Sequence, residues 1–127
     1  MKKRVYYHDT DCGGVIYYAN YLKYFEEART EYFEERGISI RELVENDILF
    51  VVTKQEVEYL KSAKYGDIID IETEIVNISG ARIVFEYKIK DQKGFVIVNG
   101  KTILGCVNKE LKPRLIPREI RDVLKHW

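Results

Sequence analysis

The sequence predicts an α+β fold in which one long helix lies against an antiparallel sheet. Three observations lead to this prediction. The segment from about Asn20 to Arg36 has apolar residues at helical spacing and contains neither proline nor glycine. The second half of the chain alternates apolar and polar residues with a period of two, as half-buried strands do. Short turn sequences separate these strands, so we expect neighbouring strands to be antiparallel.

The elements before the sheet are predicted from short local signals. The apolar run Val5-Tyr6-Tyr7 predicts a first strand, and the turn-rich segment after it leads into the long helix. Gly37 follows that helix and suits its C-terminal cap. Ser39 with Glu42 three residues later is a capping-box pattern, which predicts a second, short helix over Ile40 to Glu45.

Four strands are predicted after the two helices. The first begins at Ile48, where the period changes to two, and runs to Tyr59. Ser79-Gly80 and Asp91-Gln92-Lys93-Gly94 predict the turns between later strands. The alternating positions of those strands are Ile69, Ile71, Thr73 and Ile75, then Ile83, Phe85, Tyr87 and Ile89, then the long run from Phe95 to Val107.

The C-terminal part of the chain is predicted to leave the sheet. Pro113 and Pro117 end the last strand, and Pro117 suits the first turn of a short helix over Arg118 to Lys125. The whole chain, residues 1–127, has the length of one domain.

Composition excludes several classes of protein. Hydrophobic residues make up 46% of the chain and charged residues 33%, which is typical of a globular protein that stays in solution. Basic and acidic residues number 21 each, so nothing in the net charge predicts binding to nucleic acid. No apolar run approaches the ~20 residues of a membrane-spanning helix, and no signal peptide is recognisable. We therefore expect a cytoplasmic protein.

The metal-ligating residue types are too few and too scattered for a metal site. The chain has two cysteines, Cys12 and Cys106, and two histidines, His8 and His126, without the spacing of a metal motif or a disulfide scaffold. The sequence therefore predicts a function that uses no metal.

The segment between the first strand and the long helix has the features of a reactive site. It reads Asp9-Thr10-Asp11-x-x-Gly14-x-x-Tyr17-x-x-Asn20-Tyr21. A carboxylate on a glycine-rich turn, just before a helix N-terminus, lies beside unpaired backbone N–H groups. This combination suits attack on a carbonyl carbon, because the N–H groups stabilise the negative charge that develops on the oxygen.

This segment resembles the hotdog-fold acyl-CoA thioesterases of the 4-hydroxybenzoyl-CoA thioesterase and YbgC type. The similarity continues from about Lys3 to about Pro117. It implies a sheet of about five strands wrapped around the long helix, and hydrolysis of an acyl-CoA to a free acid and CoA with no separate cofactor. It also implies a homo-oligomer, a dimer or a tetramer made of two dimers, in which sheets join edge to edge. An acyl carrier protein is a possible alternative carrier of the acyl group. Further positions that match are Tyr24, Glu27, Ala28, Arg29, Phe50-Val51-Val52, Val57-Glu58-Tyr59, Gly66-Asp67 and Lys112-Pro113-Arg114.

The resemblance gives the reactive roles to Asp11 and Tyr18. Asp11 matches the catalytic aspartate, which acts as nucleophile or as general base on water, and the sequence does not separate these two roles. The backbone amide of Tyr18 matches the group that polarises the thioester carbonyl. Many YbgC-type proteins carry histidine where this chain has Tyr18. The alternative for Asp11 is a turn aspartate that only accepts hydrogen bonds from nearby backbone.

Five neighbouring residues are predicted to support the site. Asp9 lies two residues before Asp11, so in an extended segment both carboxylates would point the same way and share a proton. The preferred interpretation is that Asp9 caps the loop and holds Asp11 in position. Asn20 is interpreted as the N-cap of the long helix. The remaining members of this set are Tyr7, Gly14 and Tyr21. Cys12 is a weaker candidate nucleophile, because it has no histidine partner nearby.

The anionic nucleotide of CoA requires basic residues. Five candidates lie near predicted strand ends, where a groove for CoA would open, although each could also be an ordinary surface charge. They are Lys61, Lys64, Arg82, Lys112 and Arg114.

Three other functions fit parts of the same pattern. A hotdog dehydratase of hydroxyacyl thioesters would use a histidine and a glutamate, and no histidine is suitably placed. A non-catalytic module that binds acyl-CoA or acyl carrier protein would keep the pocket but have no use for Asp11. A purely structural oligomer would bind no acyl-CoA.

Overall fold

The computed structural model describes residues 1–11 and 13–125. It is an α+β fold built on one antiparallel sheet of five strands in the order β1-β3-β4-β5-β2. This confirms the predicted fold class. The elements are β1 (Lys2–Arg4), a 3-10 turn (Tyr7–Asp9), α1 (Tyr18–Glu35), α2 (Ile40–Glu45), β2 (Leu49–Tyr59), β3 (Ile68–Ser79), β4 (Arg82–Lys90), β5 (Val96–Val107) and α3 (Arg118–Leu124).

The first strand lies earlier than the sequence predicted. Residues 2–4 pair with Ile68–Asp70 of β3, whereas Val5-Tyr6-Tyr7 is not a strand. The strand ends because the Asp9 carboxylate accepts a hydrogen bond from the Tyr6 N–H, which bends the chain into the 3-10 turn. Val5 is nevertheless fully buried, so the apolar run does supply the core.

Helix α1 begins two residues before the predicted start. Its N-cap is Tyr17, whose side chain makes no capping hydrogen bond. The interpretation of Asn20 as N-cap is therefore wrong, because Asn20 lies within the first helical turn. Helix α2 has the predicted bounds, and the Ser39 hydroxyl accepts a hydrogen bond from the Glu42 N–H.

The core lies between α1 and the inner face of the sheet. Phe25 stacks on Tyr87 of β4 with ring centroids 4.3 Å apart. Its ring also covers Gly100 of β5, where an added Cβ atom would come within 2.8 Å of the Phe25 Cε2 atom. The absence of a side chain at Gly100 thus lets the helix approach the middle of the sheet closely. At the other end of α1, Phe33 stacks on Phe50 of β2 at 5.8 Å.

The outer face of the sheet is charged. Residues that pair across neighbouring strands lie side by side on the same face of the sheet. On the outer face these pairs include both opposite and like charges. The two central rows are Glu74, Glu86, Lys101 and Glu56, and Glu72, Lys88, Asn99 and Glu58.

The two edges of the sheet differ in length. Strand β1 has 3 residues, whereas β2 has 11 and pairs only with β5, so one of its sides is an open edge. Within the described part of the chain, no helix is long and apolar enough to cross a bilayer.

Candidate active site

The segment from Asp9 to Tyr17 folds back on itself in front of α1. The Tyr17 N–H donates to the Asp9 carbonyl oxygen (3.0 Å), and the Asp11 N–H donates to the Val15 carbonyl oxygen (2.9 Å). Asp11 therefore stands near the tip of a narrow loop. Gly14 has φ of 79°, a left-handed conformation that glycine adopts without strain. We call residues 9–17 the site loop.

The segment after β2 holds the site loop from the side. The Ile16 N–H donates to the Ala63 carbonyl oxygen (2.9 Å), and the Tyr65 N–H donates to the Gly14 carbonyl oxygen (3.3 Å). Val15 and Lys64 form an isolated antiparallel bridge. The sequence interpretation missed this support, since backbone bonds leave no residue-type signal.

Asp11 is exposed to solvent. Its Oδ1 atom accepts a hydrogen bond from the Gly13 N–H at 2.8 Å, as expected for an aspartate in a turn. It forms no ion pair with residues 1–11 or 13–125. The carboxylate is therefore available to a bound molecule. Cys12, the weaker candidate nucleophile, lies outside the described residues.

Asp9 is buried and belongs to the scaffold. Its carboxylate accepts from the Tyr6 N–H at 3.0 Å and contacts His8 Nδ1 at 3.3 Å, while its carbonyl oxygen accepts from the Asn20 side-chain amide at 2.6 Å. The prediction that Asp9 and Asp11 point the same way is wrong, because Asp9 ends a 3-10 turn instead of lying in an extended segment. Asn20 supports the loop through this bond to Asp9.

Asp9 also has an effect on a buried tyrosine. The Tyr24 hydroxyl is buried without a hydrogen-bond partner among the described residues, and it lies close enough to the Asp9 carboxylate to feel its charge. Burial, and secondly the negative charge of Asp9, raise the pKa of Tyr24 above its ordinary value. Tyr24 is therefore a neutral packing residue behind the site loop.

The N-terminus of α1 is open on the side of the site loop. Within the described residues, no backbone carbonyl or side chain accepts a hydrogen bond from the Tyr18 N–H. The positive end of the helix dipole adds to the partial charge of this N–H group. The Tyr18 N–H could therefore donate a hydrogen bond to an oxygen atom that gains negative charge.

Three tyrosine rings cluster beside this N-terminus. The Tyr59 ring lies 4.8 Å from the Tyr18 ring and 5.6 Å from the Tyr21 ring, measured between centroids. The Tyr59 hydroxyl is 3.5 Å from the Tyr18 carbonyl oxygen. Tyr21 is only 2% exposed, and burial raises its pKa to about 12. Tyr21 thus packs inside, whereas Tyr18 and Tyr59 keep exposed ring surface.

Tyr7 contacts the site loop through its backbone, since its carbonyl oxygen accepts hydrogen bonds from the Thr10 N–H (3.1 Å) and hydroxyl (2.7 Å). Its ring is 78% exposed and packs edge-on against Tyr65, with centroids 6.0 Å apart. Both rings lie on the outside of the site loop.

The five predicted CoA-binding residues do not form one cluster. Lys61 and Lys64 follow β2 at the end that carries the site loop. Arg82 pairs with Gly105, and the Arg114 guanidinium donates to the carbonyl oxygen of Asp47, just before β2. Arg82, Lys112 and Arg114 therefore lie at the other end of the sheet, roughly 34 Å along β2. The expected single groove is absent from one copy of the described chain.

A depression of about 520 Å³ lies on the outer face of the sheet. None of the predicted site residues lines it, and the charged rows described above form its walls. Acidic and basic side chains line most of its rim, including Glu72, Glu86 and Lys101. Among the described residues, no group of three or more His, Cys, Asp or Glu side chains is placed to hold a metal ion.

Comparison with known proteins gives consistent matches along the chain. The family model of the Thioesterase-like superfamily matches residues 5–127. An acyl-CoA thioester hydrolase, YbgC, of Escherichia coli O6:H1 is 37% identical over 118 residues, which cover 92% of this chain and 88% of that protein. An acyl-CoA thioesterase, YbgC, of Haemophilus influenzae is 37% identical over 126 residues, covering 97% and 91%.

Solved structures agree with the sequence matches. A DHNA-CoA thioesterase of Staphylococcus aureus superposes with a TM-score of 0.90 and 32% identity, covering 96% of this chain and 83% of that one. The predicted hotdog architecture, a sheet curled around the long helix, is thereby confirmed.

Proposed function

Because this chain is a thioester hydrolase of the thioesterase-like superfamily, we propose that it cleaves acyl-CoA to a free carboxylic acid and CoA. One observation supports the site assignment above the others. Asp11 carries an exposed carboxylate, with no ion-pair partner among the described residues, on a loop that leads directly into the N-terminus of α1, where no side chain makes a capping hydrogen bond. The relatives named as acyl-CoA thioesterases support the choice of CoA as the carrier.

Asp11 supplies the reactive oxygen in either of two ways. As nucleophile, its carboxylate attacks the carbonyl carbon, the thiolate of CoA leaves, and water then hydrolyses the mixed anhydride. As general base, it takes a proton from water, the resulting hydroxide attacks the carbonyl carbon, and the thiolate leaves with a proton. Both routes pass through an oxyanion, which the Tyr18 N–H would stabilise.

A second copy of the chain would bring the two separated groups of basic residues together. The open edge of β2 suits pairing with β2 of another copy, and a two-fold interface makes this pairing antiparallel. Antiparallel pairing brings the end of β2 near Leu49 beside the other copy's end near Tyr59. Arg82, Lys112 and Arg114 of one copy would then face the Asp11 loop of the other. We expect the CoA nucleotide to bind there together with Lys61 and Lys64.

The same arrangement would close the site. Asp11 is exposed in one copy, and catalysis at a charged group benefits when water is excluded. The protein is therefore expected to be a homo-oligomer, and light scattering that finds an active monomer would contradict this expectation. Tetramer formation, the cytoplasmic location and the use of acyl carrier protein stay predictions.

The decisive test is the substitution Asp11→Asn. It keeps the hydrogen bond from the Gly13 N–H but removes the negative charge, so kcat should fall by about 100-fold or more while the fold is kept. Release of CoA from acyl-CoA, followed with a coloured thiol reagent, measures the rate.

Asp91 provides a matched control. It is a second turn aspartate, whose Oδ1 atom accepts from the N–H two residues later at 2.9 Å, as in Asp11. Asp91→Asn should therefore keep wild-type kcat. A folded Asp11→Asn protein with the rate of Asp91→Asn would end the assignment of Asp11.

A further inference from the structure

The space between α1 and the sheet is closed to an acyl chain. The Phe25 ring fills the gap over Gly100 and stacks on Tyr87, and further along the helix Phe33 stacks on Phe50. A chain entering beside Tyr18 would have to displace these rings from a packed core, which is strongly unfavourable. The acyl group must therefore lie on the surface of the seam between α1 and β2.

The surface around the Tyr18 N–H divides into an apolar and a charged side. The apolar side consists of Tyr18, Leu22 and Tyr59, whose side chains are 66%, 43% and 43% exposed. The charged side carries Lys61 and Lys64 beside the site loop. A thioester bound at Tyr18 would place its apolar acyl group on the first side and its anionic carrier on the second.

Tyr59 is the residue that blocks the path of an acyl chain across the apolar side. Its ring projects from the inner face of β2, because it shares that face with Val57, which pairs with Gly100 under the helix. Contacts at 4.8 Å with Tyr18 and 5.6 Å with Tyr21 hold the ring against the first turn of α1. An acyl chain that leaves Tyr18 along the seam meets this ring within a few carbon atoms.

We propose that Tyr59 is a specificity-determining residue that limits the length of the acyl group. This inference rests on the proposed function, since it takes the Tyr18 N–H as the position of the carbonyl. The ring limits the chain by its volume, and the hydroxyl has no part in the limit. Short acyl groups fit between Tyr18 and Tyr59, whereas long ones collide with the ring.

The test compares butanoyl-CoA with dodecanoyl-CoA in wild type, Tyr59→Ala and Tyr59→Phe. The ratio of kcat/KM for dodecanoyl-CoA to that for butanoyl-CoA should be well below one in wild type and Tyr59→Phe, and should rise about tenfold or more in Tyr59→Ala. Tyr65→Ala is the matched control, because Tyr65 is a similarly exposed tyrosine on the charged side, and its ratio should stay at the wild-type value. Tyr59→Leu replaces Tyr59→Ala if the alanine variant does not fold.

A second measurement compares binding instead of turnover. In variants that also carry Asp11→Asn, the dissociation constant of dodecanoyl-CoA is divided by that of butanoyl-CoA, and this ratio should fall when Tyr59 is replaced by alanine. An unchanged ratio in Tyr59→Ala, or a wild type that accepts both substrates equally, would overturn the proposal. A wild type that hydrolyses neither these two substrates nor benzoyl-CoA would instead overturn the proposed function, and the binding ratio would still test Tyr59. If neither butanoyl-CoA nor dodecanoyl-CoA binds any variant, the proposal for Tyr59 fails.

Discussion

At the scale of the residue, two aspartates separated by one threonine have opposite surroundings. Asp9 is 5% exposed and holds backbone groups, whereas Asp11 is exposed at the tip of the site loop. The cause is the 3-10 turn that ends at Asp9, which rotates one carboxylate inward and leaves the other outside. The structural role of Asp9 and the proposed reactive role of Asp11 can therefore be tested separately.

Removing the Asp9 carboxylate should destabilise the fold. Asp9→Ala leaves the part-buried Tyr6 N–H without an acceptor, and we expect the free energy of unfolding to fall by about 1–2 kcal/mol. Asp9→Asn keeps one acceptor oxygen and should lose less. Urea denaturation measures both variants. An Asp9→Ala protein as stable as wild type would show that this bond does not hold the loop.

The buried Tyr21 predicts a loss of stability in alkali. Burial raises its pKa from 10.0 to about 12, so the folded protein keeps the phenol neutral where the unfolded chain ionises it. The resulting stabilisation is complete below pH 10 and is lost as the pH rises from 10 towards 12. Urea midpoints across this range should fall less steeply in Tyr21→Phe than in wild type. Equal slopes would contradict the prediction.

At the scale of the element, one glycine sets the distance between α1 and the sheet. Gly100 lies in β5 under the ring of Phe25, and the sequence shows only a glycine inside a strand. The position of α1 determines where its N-terminus meets the site loop. Close packing at Gly100 thus contributes to the geometry of the site as well as to the core.

Gly100→Ala should therefore destabilise the protein by about 1–3 kcal/mol. The added methyl would overlap the Phe25 ring, whereas at Gly105 it would come within 3.1 Å only of the Thr53 Cγ2 atom, so Gly105→Ala should cost less. A second substitution, Phe25→Leu, should recover part of the loss in Gly100→Ala. Thermal unfolding measures the stability of the three variants. A greater loss of stability in Gly105→Ala than in Gly100→Ala would refute the prediction.

At the scale of the whole molecule, the two ends of the sheet carry complementary parts of the proposed site. The Asp11 loop is at one end and Arg82 at the other, and antiparallel pairing of β2 edges would join them between copies. A hybrid oligomer, formed from subunits of two different variants, tests whether the two parts of the proposed site come from different copies. Asp11→Asn alone should have a kcat lowered by about 100-fold or more. Arg82→Gln alone should show a KM raised several-fold, because a phosphate partner is lost.

A hybrid of these two variants should recover the wild-type KM. One of its two sites combines Asp11 of the Arg82→Gln copy with the intact Arg82 of the other copy, provided that Arg82 acts across the interface. If Arg82 acts within its own copy, the active site of the hybrid keeps the raised KM. Initial rates of mixed, unfolded and refolded subunits separate the two outcomes.

The sequence by itself determined the fold class, the two helices near residues 20–45 and the four long strands, because helical and strand periodicities are local properties of the chain. It also selected residues 9–17 as the candidate site, since the resemblance rests on residue types at fixed spacing. It misplaced the first strand and the helix N-cap, where the Asp9 hydrogen bonds outweigh local propensity.

Only the tertiary structure decided how the parts meet. It buried Asp9 and exposed Asp11, closed the core over Gly100 and placed Tyr59 beside Tyr18. It also placed Arg82 and Lys64 at opposite ends of the sheet. The physical reason is that strand register and helix packing bring together residues far apart in the chain, and no local pattern of residue types encodes those distances.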